Sequence, residues 1–161
     1  MSGLDDIHVR EAIPVAARGN NLLLVTPPAA AYAGPLVAAL IARGRAAGPA
    51  LDLLLCPTAS LEPWADLTET LARAAGLRAH TAHSPARAAR LLRAGTLDVL
   101  VTTPAIALAL LQRSALSAGS IRSVLLATPE RFDPGAGEAL TALMQDLPKD
   151  TQRVFVTSTP E

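Results

Sequence analysis

The chain has 161 residues, half of them apolar but only 2% aromatic, and its 14 basic residues balance 14 acidic ones. That length suits one domain with a real core, which must be built from Leu, Val, Ile and Ala, and the balanced charge lacks the basic excess of a strongly nucleic-acid-binding domain. The single cysteine, Cys56, excludes an internal disulfide and a cysteine-based zinc site. With no stretch of membrane-spanning length and nothing like a signal peptide, a soluble cytoplasmic protein without membrane contact is the default expectation.

Asp5 to Arg18 mixes charge with Ile7, Ile13 and Val15, and Pro14 is expected to interrupt any single long helix. Gly19-Asn20-Asn21 turns into a first strand over Leu22–Thr26, a proline-rich loop follows, and Leu36, Val37, Leu40 and Ile41 form the apolar stripe of a helix over Gly34–Arg43. The second strand, Leu51–Cys56, is apolar except for Asp52, as expected of a strand covered on both faces. A helix capped by Thr58 or Ser60 runs to about Ala75, and Leu77–Thr81 is a short third strand. Ser84-Pro85 pairs a cap with proline at the first helical position, predicting a helix to Ala94 that stops at Gly95. Leu97–Thr102 is the fourth strand, Pro104 opens a helix to about Arg113, and Ile121–Ala127 is the fifth strand. Asp133-Pro134 repeats the cap-plus-proline pattern for a helix through Met144, Pro148 ends it, and Arg153–Thr157 is the sixth strand. Strands alternating with helices predict one α/β domain over 1–161: a three-layer sandwich whose mostly parallel sheet has six strands, or seven.

In such a sheet ligands bind beyond the carboxyl ends of the strands. The residues there are Thr26 to Tyr32, Pro57 to Ser60, Thr102 to Pro104, Ala127 to Glu130 and Thr157 to Thr159. The first of these joins a strand to a helix, the geometry that seats phosphates, yet it offers neither glycine nor lysine.

In order, these strand ends resemble the motifs of the first RecA-like domain of DEAD-box RNA helicases, a P-loop NTPase fold. Ala12-Ile13-Pro14 with Gly19-Asn20-Asn21 looks like the approach to Walker A, and Pro57-Thr58 like the start of motif Ia. Asp98 to Pro104 resembles motif Ib, Val124-Leu125-Leu126 leads to the DEAD position, and Gln152 to Val156 leads to Thr157-Ser158-Thr159, where the family has Ser-Ala-Thr. The departures fall on the chemistry. Walker A is replaced by Thr26, Pro27, Pro28, Ala29, Ala30, Ala31, Tyr32 and Ala33, with Tyr32 in place of the phosphate-binding lysine and Ala33 in place of the metal-binding hydroxyl. The DEAD motif is replaced by Ala127, Thr128, Pro129 and Glu130; the Q-motif glutamine falls near Val9, and the motif Ia and Ib side chains fall on Ala59, Ser60 and near Ile106. The resemblance therefore implies a degenerate domain of a longer protein, with no cofactor, no metal and no ATPase activity, since phosphoryl transfer depends on those charged groups.

Other candidates are fewer. His80 and His83 lack further metal ligands nearby and read as loop or surface histidines, and Cys56 reads as a buried strand residue. Arg87, Arg90 and Arg93 at spacing three form either a solvated helix face, opposite Ala88, Leu91 and Leu92, or a weak RNA or DNA contact. Trp64 is expected near a surface edge, as a partner anchor or packed on the sheet; Tyr32 fills the vacated pocket; Glu130 is a capping or surface carboxylate. The leading expectation is a scaffold for a protein partner or self-association, with ATP-independent nucleic-acid binding second and a working helicase fragment last.

Overall fold

The computed structural model describes residues 7–26, 30–47 and 50–158. Six parallel strands form one sheet: β1 (Leu22–Val25), β2 (Leu51–Leu55), β3 (Ala79–Thr81), β4 (Val99–Thr102), β5 (Ile121–Ala127) and β6 (Gln152–Thr157), in the order β1-β6-β5-β2-β4-β3. The helices are α1 (Ile7–Ala17), α2 (Gly34–Ala47), α3 (Leu61–Ala74), α4 (Pro85–Arg93), α5 (Pro104–Gln112) and α6 (Ala136–Asp146).

Alternation along each strand divides the core in two. Leu24, Leu54, Val99, Val101, Leu125, Val154 and Val156 point to one face, where Ala12 and Ala16 of α1, Leu36, Val37, Leu40 and Ile41 of α2, and Leu61, Trp64 and Ala72 of α3 cover them. Leu53, Leu55, Leu100, Val124 and Leu126 point to the other, under Ala88 of α4, Ala107 and Leu110 of α5, and Leu143 of α6. β2, every residue of which is buried, lies between β5 and β4. Alanine-rich helices can approach such a sheet closely, which explains how a core with so few aromatics still packs. No described helix is long and apolar enough to cross a membrane.

Two buried polar clusters tie the amino ends of the strands together. Asp52 in β2 is 2% exposed; it accepts from the Ser123 hydroxyl at 2.7 Å and from Arg122 at 3.3 Å, which also reaches the Ala50 carbonyl at 3.4 Å. Burial raises its pKa, against the opposing pull of Ser123 and Arg122. Gln152 at the start of β6 donates to the Ala16 and Asn20 carbonyls at 3.0 and 2.9 Å and accepts from Arg43 at 2.9 Å. Gly19 allows this: it sits at φ +80°, and a Cβ there would lie 2.7 Å from an Arg43 guanidinium nitrogen.

Three expectations are corrected. Pro14 lies inside α1, an 11-residue helix that continues past it to Ala17. Asp133-Pro134 does not cap α6; the helix starts two residues later, after Gly135 at φ +87°, and the Asp133 carboxylate instead accepts from the Thr58 hydroxyl. Trp64 is no surface anchor: it is 2% exposed, under the sheet with α3, because the amphipathic face of that helix turns it inward. Replacing Trp64 by Ala should therefore lower the free energy of unfolding by about 3–5 kcal/mol, read from the urea midpoint at constant slope.

Candidate functional site

Because all strands are parallel, their carboxyl ends share one edge of the sheet, and the five segments singled out in the sequence meet there. Backbone hydrogen bonds fix their spacing: Thr26 N–H donates to the Thr157 carbonyl at 2.9 Å, Cys56 N–H to Thr102 at 2.9 Å, and Thr128 N–H to Val156 at 2.6 Å. Thr26, Thr102, Thr103, Thr128 and Thr157 are all buried, so this edge is a row of threonines. The described parts of these segments hold no basic side chain; the exposed Arg131 directly follows the fourth of them.

After β1, Ala30–Ala33 make one turn of 3-10 helix ahead of α2, with Ala30 and Ala33 buried and Tyr32 half-buried. The turn packs against both α2 and α3. The phenol of Tyr32 and the methyl group of Ala33 thus occupy the positions from which a lysine and a hydroxyl would serve phosphate and metal in the family the sequence resembles. Pro27, Pro28 and Ala29 of this loop, Thr159, and the side chain of Val9 lie outside the described residues.

After β5, Thr128 adopts a left-handed conformation at φ 46°, ψ 59°, unusual for a β-branched residue, and its buried hydroxyl has no hydrogen-bond partner among the described residues. The turn directs Glu130 toward the end of β6. There the carboxylate accepts from the Thr157 hydroxyl at 2.6 Å, from the Ser158 hydroxyl at 2.7 Å and from the Ser158 amide at 3.0 Å. Partial burial works against ionisation, but these donors outweigh it and hold the pKa at about 2. Glu130 is more than a surface carboxylate: it joins the β5 turn to the residues after β6. Sequence reading missed this partnership, although hydroxyls aligned at two neighbouring strand ends were a usable signal.

The remaining candidates lie apart from this edge cluster or inside the core. Burial pushes the Cys56 thiol up to about 12, which leaves it protonated and unsuited to nucleophilic attack at neutral pH. His83 approaches Glu62 at 3.4 Å with both side chains exposed, and burial, with Arg87 and His83 nearby, lowers the pKa of His80. Arg87, Arg90 and Arg93 are exposed along α4, opposite buried Ala88 and Ala89, and Arg93 reaches the Arg113 carbonyl at 3.3 Å.

No protein-family model and no curated relative matches the chain. Solved structures do. A Saccharomyces cerevisiae Dbp5 variant bound to Gle1 and IP6 superposes with a TM-score of 0.72 at 16% identity, over 99% of this chain and 41% of its own. A hypothetical ATP-dependent RNA helicase from Sulfolobus tokodaii gives 0.72 at 16% identity over 94% of this chain and 46% of its own. A Dbp5 variant bound to RNA and ADP BeF3 gives 0.72 at 16% identity, over 96% and 40%. The chain spans less than half the length of these proteins.

Glu130 supplies a pH signature. Its folded pKa lies below the ordinary carboxylate value of 4.5, so its contribution to stability is present above that pH and is lost as pH falls toward 2. Glu130→Gln should flatten the acid limb of stability between about pH 4.5 and 2, measured as urea midpoint against pH. The chain has the RecA-like fold of the RNA helicase domains it superposes on.

Proposed function

We propose that this domain is a helicase-like scaffold without ATPase activity, retained for contacts with a protein partner or with another copy of itself. The observation that carries the reading is the composition of the strand-carboxyl edge. A nucleotide triphosphate needs cations and backbone amides to receive its oxygens, and a metal needs carboxylates. The corresponding positions here hold Ala30, Ala31, half-buried Tyr32 and buried Ala33 on one side and Ala127 and Thr128 on the other, while Glu130 is already saturated by Thr157 and Ser158. Partners also occur among proteins of this fold, since one Dbp5 structure contains Gle1 and another contains Nup159 with Gle1. Calorimetric titration with Mg-ATP should give no saturable heat; binding that disappears on mutating the Ala30–Ala33 turn would refute the proposal.

One observation favours a second reading, ATP-independent nucleic-acid binding: the exposed arginines of α4 form a basic stripe unpaired with any carboxylate in the described contacts, and a Dbp5 neighbour was solved with RNA. Against it, no aromatic platform accompanies the stripe. If α4 binds RNA, reversing the charge of Arg87, Arg90 and Arg93 abolishes a salt-sensitive affinity for single-stranded RNA. The scaffold reading predicts no such affinity in the unmodified chain at 0.15 M salt.

A further inference from the structure

The charges of the chain balance over its whole length but not locally. Residues 83–118 hold Arg87, Arg90, Arg93 and Arg113 against a single acidic residue, Asp98. Asp98 is already engaged: it accepts from the Arg78 amide at 2.8 Å and lies 3.3 Å from a nitrogen of the Arg78 guanidinium. All four arginines are exposed, and among the described residues none forms a salt bridge with a carboxylate. Arg87, Arg90 and Arg93 follow one another along α4. The Arg93 guanidinium donates to the Arg113 carbonyl at 3.3 Å, which sets the end of α5 beside the end of the stripe.

Nothing inside α4 neutralises this charge, because the helix contains no Asp or Glu. Residues three apart on a helix are neighbours, so each arginine repels the next. Arg90 and Arg93 gain from the negative end of the helix dipole, but Arg87 stands in the first turn, at the positive end. The field reaches β3, where burial first and then Arg87 lower the pKa of His80. A nine-residue helix thus carries a repulsion that an external anion relieves. The surroundings also limit which anion fits. Arg87 and Arg93 are six residues apart, roughly 9 Å along the axis, so the stripe is short. Just before the helix, His83 lies 3.4 Å from Glu62, and Asp66 is exposed one turn further along α3. A nucleic-acid strand running past the stripe meets these acids, and no aromatic side chain in residues 83–118 offers it a base-stacking platform. Ala86 and Ala94, one turn on either side of Arg90, are exposed and small, which leaves the guanidiniums open to a second helix laid alongside.

We propose that the outer face of α4, together with Arg113, docks a short carboxylate-rich helix of a protein partner. A helix with Glu at every third or fourth position presents its carboxylates at the spacing of the three arginines, and the guanidinium fork matches a carboxylate with two parallel hydrogen bonds. The acids of the partner relieve the repulsion along α4, and the acidic border at Glu62 and Asp66 confines the contact to the stripe.

The inference rests on the scaffold reading and names the chemistry of the partner. A fluorescein-labelled helical peptide of Ala and Glu, with Glu at every third or fourth position, is titrated with the 161-residue chain and read by fluorescence anisotropy. Saturable binding that weakens with added salt is expected, and R87E/R90E/R93E should lose roughly tenfold or more in affinity. The charge-matched variant R18E/R73E/K149E, altered at exposed cations elsewhere, should bind as the wild type does. No saturable binding, an equal loss in both triple variants, or a single-stranded RNA of equal charge binding as tightly as the peptide would each overturn the proposal. So would a salt-sensitive dimer in sedimentation velocity that R87E/R90E/R93E abolishes, because a second copy then occupies the stripe. Should that variant fail to fold by circular dichroism, amide shifts of the isotope-labelled wild type decide. The peptide should move the amides of Arg87, Arg90 and Arg93, and shifts confined to other residues would overturn the site. A chain that binds neither the peptide nor Mg-ATP overturns this docking site alone and leaves the scaffold reading standing.

Discussion

Every strand of the sheet runs the same way, and the rest of the molecule follows from that constraint. Parallel neighbours cannot be joined by tight turns, so each of β1 to β5 is followed by a helix that returns over a face of the sheet. Both faces become dry, which is why β2 and β4 are buried at every position and why, Asp52 and Thr102 apart, their residues are apolar. The same direction gathers five loops at one edge and leaves the polar anchoring to the opposite edge. There Asp52 with Ser123 and Arg122, and Gln152 with Arg43, lock the starts of β2, β5 and β6. One edge is built for stability, and the other is where this fold offers chemistry.

What occupies that second edge is a network turned on itself. Threonine hydroxyls line the strand ends, and Glu130 draws two hydroxyls and an amide from the end of β6 onto a single carboxylate. A carboxylate held this way is stabilised as an anion and has no donor to spare for a phosphate. The strained backbone of Thr128 sits beside it, held by burial and by the hydrogen bond that its N–H donates to the Val156 carbonyl. In the scaffold reading proposed above, these hydrogen bonds among strand ends stand where ligand contacts would be made.

Most of the architecture was legible because its signals are local. Ser84-Pro85 and Gly95 bracket α4 as written, and the apolar runs of β2, β4 and β5 mark their own positions. Elsewhere the misreadings have physical causes. Pro14 is of the residue type that breaks helices, yet α1 runs on through it and closes with the Arg18 amide on the Pro14 carbonyl. Asp133 carries every mark of a cap but its carboxylate instead accepts from the Thr58 hydroxyl, 75 residues away, a contact no local pattern encodes. Trp64 was ambiguous because an aromatic on an amphipathic helix serves a core or an interface equally well; only the rotation of α3 against the sheet decides. Sheet order is likewise non-local, so the sequence could not reveal that β1 lies at an edge. The lone carboxylate in the apolar run of β2 did hint at a buried partner, and Arg122 and Ser123 provide it.

The central claim is that the strand-carboxyl edge holds no nucleotide, and backbone resonances there test it most directly. Titrating the isotope-labelled chain with Mg-ATP to millimolar concentration should leave the amide shifts of Thr26, Tyr32, Thr128 and Ser158 unmoved. Saturable shifts at those four amides, absent from the amino-end residues Asp52 and Gln152, would contradict it.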